Sequence, residues 1–364
     1  MEKIKHKKVI VGMSGGVDST VAAALLKQQG FEVVGATMKL WKKKYGPSVH
    51  KNACYGPGEK NDIIAAKKAC KKLGIRHIVL NLAEEYEEYV LGYFKKEYLA
   101  GRTPNPCVVC NQKIKFGFLL EKIVEAGISF DFFATGHYAR VLFDTKKKRY
   151  ILFKGKDSTK DQSYFLYRLN QKQLKKAFFP LGEYNKKDIK QMAVKLGLGE
   201  YAEKDESRDF AESGDYSGII GKSHNKKGDI VNEEGGVVGV HDGFYNFTVG
   251  QRKGLNIGGL HQPYYVMGID PCKNRVIVGT KESVFSNDFF VSHTNWIAFA
   301  KLEKKIDAQV MVRSNGELID CQIIPQKKNI FIKLKKPCFA VAPGQSAVFY
   351  IDDMVLGGGI IEKK

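Results

Sequence analysis

Near the N-terminus a short apolar run, Val9 to Met13, leads into Gly12-Met13-Ser14-Gly15-Gly16-Val17-Asp18-Ser19 and then into a helical pattern over Ser19–Gln28. This junction constrains the fold more than any other feature. Tandem glycines let backbone come close to an anion, and a helix starting there aims unpaired N–H groups and a positive dipole end at it. Ser14 and Ser19 add hydroxyl donors, and Asp18 is placed to hold a metal ion on bound phosphates. The chain lacks both the Gly-Lys-Ser/Thr of a P-loop kinase and the Gly-x-Gly-x-x-Gly of a dinucleotide fold.

The rhythm that follows is βαβα. Strands are expected at Glu32–Met38, His77–Leu82 and Asp131–Thr135. Helices are expected at Asn61–Leu73, Ala83–Leu99, Asn111–Ala126 and Lys186–Leu196. Such alternation predicts an α/β class with a doubly wound parallel sheet and ligands at the strand C-terminal edge. A Gly-rich stretch with short β runs then suggests a small module. Alternating segments such as Ala308–Val312 and Asn329–Leu334 predict a C-terminal antiparallel β-barrel. The expected units are 1–205, 206–280 and 281–364, with Lys42–Lys44 and Lys146–Arg149 as loop or hairpin tips.

Charge narrows the partner. The 364 residues hold 59 Lys+Arg against 39 Asp+Glu, a net +20, yet hydrophobic residues at 43% and charged residues at 27% are ordinary for a folded chain. Residues 281–364 contribute 12 basic and 9 acidic residues, so most of the excess lies in the first 280 and not in a tail. That balance points to a polyanion, nucleic acid or an anionic surface. Only nine of the basic residues are Arg, which favours phosphate counter-charge over planar bidentate recognition. No run approaches the roughly 20 apolar residues of a membrane span. Seven irregularly spaced cysteines do not form a secreted disulfide framework, so the expected location is a reducing cytoplasm with no membrane partner.

The second chemical signal is Gly101-Arg102-Thr103-Pro104-Asn105-Pro106-Cys107-Val108-Val109-Cys110-Asn111. Two prolines stiffen the segment and deliver Cys110 to an expected helix N-terminus, where the dipole favours thiolate. Cys-x-x-Cys alone leaves a redox pair, metal ligands and two bystanders open.

The Ser-Gly-Gly-x-Asp-Ser pattern resembles the PP-loop of ATP pyrophosphatases, which implies ATP and Mg²⁺. With the thiol segment, nearly the whole chain resembles the tRNA-specific 2-thiouridylases (the MnmA family). Thr135-Gly136-His137-Tyr138-Ala139-Arg140, Lys160–Leu166, Phe179–Glu183, Thr248–Leu255 and Pro343–Ala347 also carry the likeness. The resemblance implies an ATP site at Gly12, Met13, Ser14, Gly15, Gly16, Val17, Asp18, Ser19, Met38 and Gly136. It implies tRNA contacts at His137, Asp161, Gln162, Ser163, Arg313, Ser314 and Gln345, with Asn105, Pro106 and Cys107 at the target base. Read from the residues alone, His137 and Met38 are equally plain structural positions, Asp161–Ser163 equally a helix cap, and Gln251–Lys253 a phosphate grip or a solvated turn.

The implied reaction is ATP-dependent 2-thiolation of the wobble uridine of tRNA: adenylation of its C2 oxygen with pyrophosphate release, then sulfur transfer. Asp18, Cys107 and Cys110 are the expected catalytic residues. Alternatives are a 4-thiouridine or lysidine synthase type of PP-loop enzyme, or a non-enzymatic RNA-binding or iron–sulfur protein. The sequence departs from the family at two places. Most members carry Asp at the position of Cys107 and a second catalytic Cys far downstream, where Lys204–Ala211 here has none and Ala211 takes its place. Two replacements fit: Cys107 and Cys110 form the working pair, or Cys54 joins them as three ligands of a [4Fe–4S] cluster. The sulfur would come from a donor or relay protein, or from free sulfide.

Overall fold

The computed structural model describes residues 7–42, 55–202, 217–221, 226–258 and 262–363. Cys54, Lys43–Lys44 and the whole Lys204–Ala211 segment lie outside the described residues.

The first layer begins with β1 (Lys8–Gly12), α1 (Val17–Gln28), β2 (Glu32–Lys39), α2 (Glu59–Leu73) and β3 (Arg76–Asn81). A helical run follows as α3 (Ala83–Tyr86), a π-helical turn (Glu87–Leu91) and α4 (Gly92–Leu99). A second run comprises α5 (Pro106–Val109), a π-helical stretch (Cys110–Phe118) and α6 (Leu119–Glu125). β4 (Phe132–Ala134) precedes a hairpin, β5 (Ala139–Asp144) and β6 (Arg149–Lys154), then α7 (Gln171–Lys176), β7 (Ala177–Phe178) and α8 (Lys186–Lys195). Val9, Ile10 and Val11 of β1 are fully buried, as a strand covered on both faces requires.

The sheet runs β3-β2-β1-β4-β7 and its pairings are parallel. Chain order advances from β1 through β2 to β3 on one side and resumes at β4 on the other. The switch point therefore lies between the C-terminal ends of β1 and β4, where open α/β sheets bind ligands.

One expectation shifts and one holds. The helix expected from Asn111 begins at Pro106, because Asn105 caps it and proline at the first helical position sacrifices no needed N–H. The Asn105 Oδ1 accepts from the Val108 N–H at 3.4 Å. The Lys-rich 146–149 tip closes the β5–β6 hairpin, with Asp144 Oδ1 accepting from the N–H groups of Lys146 and Lys147, both at 2.9 Å.

The middle of the chain holds β8 (Gly228–Val231), β9 (Val237–His241), β10 (Tyr265–Asp270) and β11 (Arg275–Gly279), in the order β10-β11-β8-β9 around Ile230, Val266, Val276 and Val278. The last strands are β12 (Phe285–Trp296), β13 (Ile306–Met311), β14 (Ile319–Pro325), β15 (Ile330–Phe339), β16 (Ser346–Ile351) and β17 (Met354–Ile361). They run β12-β15-β14-β13-β16-β17, and β12 pairs β17 to close a six-stranded antiparallel barrel. The β5–β6 hairpin extends this sheet through Phe153 and Met354, so an early segment is built into the C-terminal layer. Among the described residues no helix is long and apolar enough to cross a membrane.

Barrel closure depends on glycine in β17. A Cβ on Gly359 would lie 2.4 Å from the Ser292 carbonyl oxygen and 2.5 Å from Val291 Cγ1. Gly359→Val is expected to destabilise the protein by about 1–3 kcal/mol or more, read as a lowered melting temperature. Gly268→Ala, where nothing lies within 4 Å of the added atom, is expected to leave it unchanged.

Candidate active site

The β1–α1 loop is built for close approach. Gly15 has φ +76°, and a Cβ there would sit 2.5 Å from the Asp62 carbonyl oxygen of α2. Gly16 precedes α1 as its N-cap, without a side-chain cap. The Ser14 N–H donates to Ser19 Oγ at 3.2 Å, the Gly16 N–H to Ser14 Oγ at 3.4 Å, and Ser19 Oγ to the Gly16 carbonyl at 3.1 Å. The two serines thus shape the loop, and Ser14 remains exposed. Met13 and Val17 are buried beneath it. Such a loop before a 12-residue helix can take an anionic ligand on backbone N–H groups.

The loop after β4 closes the other side. A Cβ on Gly136 would lie 2.8 Å from Asp18 C, Asp18 Cβ and Ser19 N, so only glycine backbone fits against the start of α1. His137 is half-buried, with Thr135 Oγ1 at 2.6 Å from Nδ1 and its ring edge-on to Phe179. Burial, and then the Lys115 charge, hold its imidazole neutral well below the usual histidine range. Met38, half-buried near the end of β2, lies at the same sheet edge.

Asp18 carries two partners that the sequence reading missed. Lys186 Nζ lies 2.8 Å from both carboxylate oxygens, and the Tyr138 hydroxyl donates to Oδ1 at 2.8 Å. Lys186 is the first residue of α8 and is buried, at 7% exposure. Its backbone N–H donates to Asp157 Oδ2 at 2.9 Å, and that bond is the main reason the Asp157 carboxyl sits below the ordinary range. The only sequence signal was a lysine opening the helix after Phe179–Glu183. Nothing in a one-dimensional pattern links it to Asp18.

Mg²⁺ needs no dedicated cage, because one or two carboxylates and the nucleotide's phosphates suffice. Asp18 meets that requirement, and Lys186 supplies the cation balancing it in the structure described. No group of three His, Cys, Asp or Glu able to hold a metal is present among the described residues. Cys107 and Cys110 are both half-buried, one turn apart on the helix that starts at Pro106. Cys107 lies in its first turn and Cys110 one turn further in, which differs from the expected order. Asn105 and Pro106 are buried.

The remaining expected positions divide. Asp161 accepts from the Gly155 N–H at 2.9 Å, the Ser163 N–H at 3.1 Å and Ser163 Oγ at 2.7 Å, while burial raises its carboxyl above the usual range. Gln162 pairs with the Tyr138 backbone through its Oε1 at 3.0 Å and its N–H at 2.9 Å. Ser163 is fully buried. Gln162 thus ties the segment to the His137 loop, and Asp161 and Ser163 brace it internally. Arg313 is exposed and Ser314 half-buried in the turn after β13, while Gln345 lies between β15 and β16 against the thiol segment. Gly136→Ala is expected to weaken binding of a nucleoside triphosphate at least about tenfold by calorimetry, about 1.4 kcal/mol. Unchanged affinity would detach the β4 loop from the site.

Comparison with known proteins follows the same three layers. Family models match residues 7–211 (tRNA methyl transferase HUP domain), 219–280 (tRNA methyl transferase PRC-barrel domain) and 286–361 (aminomethyltransferase beta-barrel domain). The tRNA-specific 2-thiouridylase MnmA 1 of Caldanaerobacter subterraneus subsp. tengcongensis is 46% identical, with 99% of each chain covered. The tRNA-specific 2-thiouridylase MnmA of Endomicrobium trichonymphae is 44% identical over 97% of this chain and 98% of the relative. That of Natranaerobius thermophilus is 39% identical over 98% and 97%. At this identity over nearly its full length, the chain belongs to the MnmA family of tRNA-specific 2-thiouridylases.

Proposed function

We propose that this protein converts the wobble uridine of tRNA to 2-thiouridine in two steps at one site between β1, β4 and the Cys107–Cys110 helix. The carrying observation is the glycine-lined helix N-terminus at the sheet's switch point, with Asp18 held by Lys186 and Tyr138. In this reading Gly12–Ser19, Met38 and Gly136 take ATP, and Mg²⁺ on Asp18 neutralises phosphate charge. The uridine C2 oxygen attacks the α-phosphorus and pyrophosphate leaves. The oxygen thereby becomes part of an AMP leaving group. Family-model descriptions speak of methyl transfer and the relatives' names of thiolation; a phosphate-receiving loop and paired thiols support the second.

Sulfur follows by a balanced exchange. A sulfane-sulfur donor places a persulfide on Cys107 or Cys110, its terminal sulfur attacks C2, and AMP departs. The other thiolate then attacks the cysteine sulfur, forming a Cys107–Cys110 disulfide and releasing the thiouridine with the bonding electron pair. An external thiol reductant resets the pair. This scheme needs no downstream cysteine, in keeping with Ala211 at that place. The cluster alternative requires Cys54 as third ligand, which lies outside the described residues, so no step is routed through a cluster.

RNA contact is assigned to Asn105–Cys107, His137, Asp161–Gln162, Arg313–Ser314 and Gln345, with the fully buried Ser163 holding Asp161 from beneath, on units taken as 1–205, 206–280 and 281–364. The net +20 acts through phosphates, and the uridine is turned out of its stack to reach the thiols. A reducing cytoplasm suits cysteines that must work as thiols, and no membrane takes part.

Pyrophosphate release is expected to require both ATP and tRNA. Asp18→Asn should lower it by about 10² or more, on the scale of losing one charge-stabilising group. Cys110→Ser should retain pyrophosphate release but yield no 2-thiouridine by nucleoside mass spectrometry. Release without tRNA, or thiolation without ATP, would refute the reading. Affinity for tRNA is expected to fall by about 10³-fold or more between 50 and 200 mM salt in filter binding. A flat response would mean the positive charge plays no part.

A further inference from the structure

The segment that presents Cys107 and Cys110 is held from outside its own unit. Gly101 has φ +68°, and a Cβ there would press at 3.1 Å on Ile269 and Pro271 of the central module. The Thr103 N–H donates to the Pro343 carbonyl at 2.8 Å. Gln345 Nε2 donates to the carbonyls of Pro104 at 3.1 Å and Thr103 at 3.4 Å. Gly344, at φ +93°, admits no side chain, because a Cβ would lie 2.8 Å from the Thr103 oxygen. Three backbone groups just before the capping residue Asn105 are therefore satisfied by the barrel's β15–β16 turn.

Arg102 adds a charged clasp. Its Nε donates to Glu97 at 2.8 Å, its Nη1 to Glu362 at 2.6 Å, and its Nη2 to the Ile361 carbonyl at 3.3 Å. Ser292 also donates to Glu362. The Arg102 and Glu362 side chains are 21% and 23% exposed, so water screens the pair only partly. Burial opposes charge on Glu362, but Arg102 and Ser292 outweigh it and hold its carboxyl below the ordinary range.

We propose that Arg102 and Gln345 are positioning residues through which the C-terminal barrel sets the geometry of the Cys107–Cys110 helix for sulfur transfer. This rests on the functional reading above. Beyond gripping RNA, the barrel then holds the thiols in place, and tRNA seated at Gln345 bears on them through the same turn. The thiol segment and the barrel act as one body, although well over two hundred residues separate Arg102 from Glu362 in sequence.

Timed iodoacetamide labelling of the reduced full-length protein, without ATP or tRNA, tests this by peptide mass spectrometry. The exposed Cys272 serves as internal reference. In Arg102→Met the labelling of Cys107 and Cys110 relative to Cys272 is expected to rise at least about tenfold, the scale of a lost charge-assisted hydrogen bond. The thiolation kcat should fall similarly, with the Kd for tRNA within about twofold, since Arg102 is not itself among the assigned RNA contacts. Arg102→Lys, which keeps the charge beside Glu97 and Glu362, should recover part of the effect. Should Arg102→Met not fold, Gln345→Leu, which removes two of the segment's bonds, is expected to raise the same labelling ratio. An unchanged ratio in a folded variant overturns the inference, as does kcat retained at the wild-type value. A wild-type protein that makes no 2-thiouridine would refute the functional reading, while the labelling ratio would still decide the clasp.

Discussion

The approach of the Gly136 backbone to Asp18 and Ser19, 2.8 Å from where a side chain would begin, is the contact on which the site depends. It brings the end of β4 against the start of α1 across the switch point and leaves the helix N-terminus facing a narrow cleft. The rest of the first layer serves that contact. Val9, Ile10 and Val11 of β1 are apolar and fully buried, which fixes the loop's origin; α2 packs its Asp62 carbonyl under Gly15, which fixes its floor. Lys186 and Tyr138 then fix the direction of the Asp18 carboxylate. A buried lysine paired with a carboxylate is costly to strip of its partner. The pair therefore keeps Asp18 ordered before any ligand arrives.

Local chemistry was legible in the sequence wherever it was written in adjacent residues. The glycine loop, the hairpin tip at Lys146–Arg149 and the alternation of strand and helix could be read because period and turn residues determine them within a few positions. Starts and ends were less legible. The helix bearing the cysteines begins at Pro106 and not Asn111, since a cap and a leading proline decide its start, whereas the apolar periodicity becomes clear only later. The two-residue β7 had no signal of its own, as it exists only because Phe133 and Ala134 offer an unpaired edge.

Long-range partnerships were not legible. Lys186 lies 168 residues from Asp18, and Glu362 lies 260 from Arg102. In sequence both appear as ordinary charges on a Lys-rich chain. The fold makes them particular by bringing each to a half-buried counter-ion, where screening weakens. The β5–β6 hairpin shows the same limit: it joins the barrel sheet through a single residue pair that no pattern announces. The structure thus ties thiol segment, central module and barrel more closely than a linear division suggests.

The central claim is that ATP activates the C2 oxygen of uridine, so that this oxygen leaves with AMP. Transcribed tRNA carrying ¹⁸O at C2 of the wobble uridine tests it directly. With Mg²⁺, ATP and a sulfane-sulfur donor, the account predicts AMP bearing the heavy oxygen in amount equal to the 2-thiouridine formed. Unlabelled AMP, with thiouridine still produced, would contradict it.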